Sequence, residues 1–253
     1  MSESIILCEG VHDRAFWDGW LTFLRCDGGG YKPGTPGFPA SDPWGDKVRG
    51  GQFAYRSKSS SFIRVRPCNG KHNVLREARI RLTQRTTKPL VRLVINVDVD
   101  TSAAGVTPGS TGLRQQDVLH QVQQIDSGAS LNAEGNIVVD GGATIVALLR
   151  WETKEPPARG LPDQQTLERI VCAALTAAYP HQAKAVQDWL DARPNPPPAD
   201  PKEHAWSYMA GWYAEHGCED FYANLWRDAN IVRELESRLR SSGAWQIAET
   251  VAS

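Results

Sequence analysis

Two short acidic runs carry residue types and spacings that can do chemistry: Glu9-Gly10-Val11-His12-Asp13 and Asp98-Val99-Asp100. Each follows an apolar stretch, residues 5–8 for the first and the β-branched residues 90–97 for the second. Carboxylates gathered at one rim repel each other unless a cation neutralises them, and hard oxygen donors select Mg²⁺ or Mn²⁺. One or two such ions polarise a phosphodiester, generate hydroxide from bound water and stabilise the leaving oxygen. The chemistry on offer is therefore metal-assisted hydrolysis of phosphodiesters. Alternation along an extended segment puts Asp98 and Asp100 on one side, and the four-residue spacing of Glu9 and Asp13 suits one face at a helix start. Asp13 has a second reading, as the cap of that helix.

The elements that must position these acids can be read from periodicity. Residues 5–8 form a continuous apolar run broken by Glu9-Gly10, as a buried parallel strand ends in a tight turn. Phe16, Trp17, Trp20, Leu21 and Leu24 then fall on one stripe of a helix over 13–24. Residues 62–68 alternate as a second strand, Asn69-Gly70 turns the chain, and a helix is expected over about 73–84. Residues 90–97 make the third strand, 113–125 a helix, 127–142 a hairpin-like insertion and 144–149 the fourth core strand. Repeated βα units imply an α/β fold with a parallel sheet flanked by helices, whose ligands sit beyond the carboxyl ends of the strands. Helices are expected over 162–178 and 182–190, and Trp206, Met209, Trp212 and Tyr213 share a further helical face, read as core packing.

These residues resemble a known family. An apolar strand, Glu-Gly-x-x-Asp, then a later apolar strand, Asp-x-Asp and Gly105, looks like the Toprim domain of topoisomerases, bacterial primases, overcoming-lysogenization-defect (OLD) nucleases and small stand-alone Toprim proteins. Asn69-Gly70-Lys71 and Leu167-Glu168 resemble further segments of the OLD-like and stand-alone members, so the likeness spans roughly residues 4–175. It implies a Rossmann-like, parallel four-stranded Toprim sheet over 1–180, interrupted by a Gly/Pro-rich basic insertion at about 27–61. A C-terminal helical extension over 181–253, with a Pro-rich linker at 194–201, would follow.

The resemblance also implies roles. Glu9 would be a metal ligand or general acid/base, Asp98 and Asp100 ligands, and Asp13 a further ligand, with Mg²⁺ or Mn²⁺ as cofactor. Glu152 is the best positional match for the last acid, with Glu168 and Glu155 behind it. Lys154 and Lys71 would balance charge on a phosphoryl transition state, or are solvated lysines; His12 and His72 read as exposed turn residues. The implied activity is a nuclease of DNA or RNA using one or two metals, as an effector of bacterial defence or maturation that works with a partner ATPase; a homodimer stays open. The rivals are a non-catalytic module, in which a structural ion and a basic loop bind nucleic acid, and primase-like nucleotidyl transfer. Topoisomerases follow Asp-x-Asp with Arg-Glu-Gly, whereas this chain has Thr101-Ser102-Ala103-Ala104-Gly105, and no Walker motif is present. Strand passage and an in-chain ATPase are therefore not expected.

The net charge of -1 hides an asymmetry. Residues 47–92 are strongly basic, whereas acids outnumber bases over 200–253, so a polyanion is drawn to the first region. Arg49, Arg56 and Lys58 interleave with Phe53 and Tyr55 as in single-strand binders, and Arg64 and Arg66 extend the nucleic-acid surface. Residues 26–61 are so rich in Gly, Pro and Ser that a long mobile insertion is expected, with neither a packed helix nor a central strand. The five cysteines are scattered without CxxC spacing and read as reduced structural thiols. No apolar run approaches membrane-spanning length and no leader precedes the first strand, which places the expected protein in the cytoplasm.

Overall fold

The fold is known from a computed structural model that describes residues 3–30, 53–88, 90–100, 112–156, 158–194, 205, 207 and 217–253. Arg49, Gly105, the aromatic face at 206–213 and most of the 194–201 linker lie outside the described residues. The chain forms two compact units that interleave along the sequence. The first comprises residues 1–97, 113–149 and 247–253, and the second residues 98–112 and 150–246.

The first unit is built on an eight-stranded sheet: β1 (Glu3–Cys8), β2 (Asp27–Gly30), β3 (Phe53–Arg56), β4 (Phe62–Pro67), β5 (Arg92–Asp98), β6 (Ser130–Leu131), β7 (Ile137–Val139) and β8 (Thr144–Trp151). Their spatial order is β2-β3-β4-β1-β5-β8-β7-β6. β1 pairs in parallel with β4 and β5, in registers that include Ile6 with Val65 and Leu7 with Ile95. The Ile145 N–H donates to the Val91 carbonyl (3.0 Å) and Asn96 Nδ2 reaches the Leu149 carbonyl (3.5 Å), so β8 also runs parallel to β5. The strands expected from the apolar runs are thus the parallel centre, and the α/β class holds.

The sheet is nevertheless not the parallel four-stranded one expected. It is mixed, because an antiparallel ribbon is added at each edge: β2 and β3 beside β4, and β7 and β6 beside β8. The second ribbon is the anticipated hairpin-like insertion. The first forms within the stretch expected to be a mobile loop. Gly28 makes it feasible: at φ +144° a Cβ would stand 2.2 Å from the Ala54 carbonyl oxygen of β3, so only glycine allows the approach. β2 contributes backbone pairing, which an apolar pattern does not reveal.

Helices α1 (Val11–Phe23), α2 (Lys71–Gln84) and α3 (Gln115–Gln123) pack on this sheet. α1 starts two residues before its expected position because the Asp13 carboxylate accepts the Gly10 N–H (2.8 Å), closing the first turn from inside. Trp17 Nε1 donates to Asn96 Oδ1 (2.8 Å), both fully buried, and this bond ties α1 to β5. α2, α3 and the sheet enclose a core of Ile5, Leu7, Val74, Leu93, Ile95 and Val118, among others. Arg64 and Glu3 form a buried ion pair of 2.8 Å between β4 and β1.

The second unit holds α4 (Leu167–Ala178), α5 (Pro180–Asp191), α6 (Cys218–Asn224) and α7 (Ala229–Ser242); α8 (Ala244–Ala252) starts there and ends in the first. α4 packs along α7, and Asp228 caps α7 through the Asn230 and Ile231 N–H groups while accepting the Tyr179 hydroxyl proton (2.7 Å). Arg169 is buried at the α4 start and donates to the Pro162, Glu155 and Pro156 carbonyls. α4 begins several residues later than expected, because residues 165–166 remain extended and serve as a docking edge for residues 98–100.

Candidate active site

The chain leaves β5 as Asp98-Val99-Asp100, and every part of this turn is held. Asp98 Oδ1 accepts the Leu167 N–H (3.1 Å), taking the place of a cap that Thr166 does not supply with its own side chain. A carboxylate there is also favoured by the positive end of the α4 dipole. The Val99 and Asp100 N–H groups both donate to the Gln165 carbonyl (3.0 and 3.2 Å). Asp100 sits at φ +59°, a left-handed conformation that aspartate tolerates better than most residues, and its side chain is exposed.

Gln165 is the residue that sequence reasoning missed. Its side-chain amide clasps the backbone of Thr153, accepting that N–H (2.9 Å) and donating to that carbonyl (3.0 Å). One glutamine thereby fastens residues 98–100, the Glu152-Thr153-Lys154 strand end and the start of α4, where Glu168 lies buried in the first turn. No motif announces it, because a glutamine beside another glutamine has no distinctive type or spacing.

The remaining acids of the second unit differ in availability. Glu152 is half-buried and pairs with Arg150 (2.9 Å). Glu155 accepts from Arg238 and from the Thr153 hydroxyl, so its role is to brace α7. Lys154 is exposed. The buried Glu168 lies one turn before Cys172, whose thiol is pushed well above its ordinary range by its own burial first and by that carboxylate second.

In the first unit, Glu9 follows β1 and is half-buried, as is His12. Asp13 is buried, and as the third residue of α1 its carboxylate accepts the N–H of Gly10, the residue before the helix. Cys8, directly before Glu9, has its thiol raised by burial, then by Asp13 and Cys68, with Arg14 opposing. Lys71 opens α2 and is half-buried, and His72 is exposed. Arg56 is half-buried and Lys58 exposed. Arg64, by contrast, is turned inward on Glu3, and Arg66 pairs with Glu77 (3.3 Å). Those two guanidiniums serve the fold, and the basic surface expected of this strand is smaller than the charge count suggests.

Carboxylate oxygens are the donors that Mg²⁺ and Mn²⁺ take, so the residues suit such an ion in kind. Among the described residues, no group of three or more His, Cys, Asp or Glu is gathered so as to hold a metal. No protein-family model matches the chain, and no curated protein sequence matches it. Among solved structures, the chain is similar to the crystal structure of a hypothetical protein from Pyrococcus horikoshii OT3. That likeness covers 100% of both chains with a TM-score of 0.73 at 13% identity, and it is a likeness of fold. Among the described residues, no helix is long and apolar enough to cross a membrane.

Proposed function

We propose that this chain is a Mg²⁺- or Mn²⁺-dependent nuclease similar to the stand-alone Toprim proteins related to OLD nucleases. In this reading it hydrolyses phosphodiester bonds of DNA or RNA in the cytoplasm, as a defence effector with an ATPase partner. The observation that carries the proposal is the hydrogen-bonded Asp98-Val99-Asp100 turn at the carboxyl end of a central parallel strand, with Glu9 following the neighbouring strand of the same sheet. Crevices beyond such strand ends are where open α/β sheets bind ligands.

In this reading Asp98 and Asp100 are the acids assigned to the ion, with Glu9, Glu168 and Glu152 as further candidates; among the described residues they are not gathered into a set of three or more that could hold it. When bound, the ion supplies an activated water and a counter-charge for the phosphoryl oxygens. The chain's own groups do the rest. Gln165 holds the Asp98 turn and the Lys154 strand end at fixed separation, Lys154 offers an ammonium to the phosphoryl group, and Arg56 and Lys58 contact the nucleic-acid backbone. The test is cleavage of plasmid, single-stranded DNA and structured RNA with added Mg²⁺ or Mn²⁺. Turnover is expected from the native chain and none from Asp98→Asn or Glu9→Gln. Equal cleavage by both variants defeats the proposal.

Two observations favour a second reading, a binding module without turnover: Asp98 already neutralises a helix N-terminus, and Glu152 already neutralises Arg150. That reading predicts salt-sensitive nucleic-acid binding and no metal-dependent product.

A further inference from the structure

A cleft of about 350 Å³ opens between α2 and α3 in the first unit, on the sheet face that Ile95 floors. α2 offers residues 72, 75, 76, 79 and 82 to it, the stripe that three- and four-residue spacing creates, and α3 answers with residues 118, 121 and 122, followed by 124 and 125 just beyond its end. Ala78 of α2, a small and buried side chain, also lines it. Its apolar wall is presented mainly by the half-buried Leu75 and Ile125, backed by the buried core residues Leu82, Val118, Val122 and Ile95.

The rim has the opposite character. Arg76 and Arg79 stand at the mouth, both exposed, with the amides of Gln121 and Gln124 across from them. Among the described residues, no carboxylate lines the cleft. Arg81 of this helix is matched to Glu77 (3.3 Å), and Arg85 directly after it to Asp140 (2.6 Å). Arg76 and Arg79 form no ion pair among the described residues.

We infer that this cleft binds a small amphipathic carboxylate, its hydrocarbon body between α2 and α3 and its anionic head on Arg76 and Arg79. The volume lies at the low end of small-molecule sites, ~300 to 1,000 Å³. It is too small for a docked helix, which is ~10 Å across. An apolar interior has no use for a nucleic-acid backbone, whereas a guanidinium pair over an apolar slot matches a planar oxyanion on a hydrocarbon chain. The site is independent of the proposed nuclease centre, since none of its lining residues belongs to the acidic runs.

The experiment is calorimetric titration of the full chain with decanoate below its micellar concentration, with decanol and decyl phosphate as parallel arms. Decanoate is expected to bind at one site and to weaken by about tenfold or more in Arg76→Gln/Arg79→Gln, the loss that removing charge-assisted hydrogen bonds implies. Decanol is expected to bind weakly and equally to both proteins. Ala78→Leu, checked for native circular dichroism, fills the slot and should abolish binding of all three probes. Decanoate binding that survives the arginine changes, or multiple detergent-like sites, overturns the inference. Tighter binding of decyl phosphate than of decanoate overturns the carboxylate assignment.

Discussion

Replacing Gln165 with alanine tests the clasp on which the geometry around Asp98 depends. The change deletes an acceptor for the Thr153 N–H and a donor to the Thr153 carbonyl, at 2.9 and 3.0 Å, while Thr153 is 7% exposed. A buried backbone group left without a partner costs ~1 to 3 kcal/mol, and Gln165 itself is only half-buried, so water can reach part of the gap. The two losses together should destabilise the second unit by about 2 to 3 kcal/mol. The Gln165 carbonyl remains, so the bonds from Val99 and Asp100 persist but lose their anchor. Urea denaturation gives the cost, and hydrogen exchange at the Val99, Asp100 and Thr153 amides should report loss of protection confined to this region. The exposed neighbour Gln164 serves as control, its alanine variant staying within ~0.5 kcal/mol of the native chain. A Gln165→Ala cost no larger than that of the control would refute the reasoning.

Glu3→Ala should destabilise the first unit by ~3 to 5 kcal/mol, because Arg64 is left charged and buried; joint replacement of both residues by methionine should recover most of that loss in denaturation experiments. Asp98→Asn keeps an oxygen for the Leu167 N–H and should leave the unfolding midpoint nearly unchanged, whereas Asp98→Ala should cost ~1 kcal/mol. Loss of cleavage in both variants would therefore separate a chemical role for Asp98 from its capping role. The Asp126 carboxyl is held below its ordinary range by the Asp140 and Gly128 N–H groups, with Arg85 adding to the effect and desolvation opposing it. Its contribution to stability is thus present above the unfolded-state value, ~3.9, and lost as pH falls through the lower folded-state value. An NMR titration should place the Asp126 midpoint below that of a free aspartate, and Asp126→Asn should blunt the loss of stability on acidification.

The parallel centre was legible in the sequence because strands buried on both faces read as predominantly apolar runs, as residues 5–8 of β1 and 93–97 of β5 do, with Asn96 as the one polar interruption. The edge ribbons were less so. β2 is Asp27 and three glycines, and its place in the sheet comes from backbone pairing and the close approach at Gly28. The acidic runs were visible by type, but their surroundings were not: that Asp98 caps α4 depends on contacts across 69 positions of sequence. Arg64 illustrates the same limit. Counted along the chain it belongs to a basic stretch, yet in space its partner is Glu3, because β4 lies beside β1. Gln165 left no trace, since its function is exercised through backbone atoms of residues far from it in sequence.

The central claim is that the acids at these strand ends capture a divalent cation. Electron paramagnetic resonance of free Mn²⁺ during titration into the chain measures this directly, without any assumption about substrate. The account predicts saturable Mn²⁺ binding that Mg²⁺ competes away and that Asp98→Asn or Glu9→Gln weakens at least about tenfold, equivalent to ~1.4 kcal/mol. Undiminished Mn²⁺ binding in both variants, or no binding by the native chain, would contradict it.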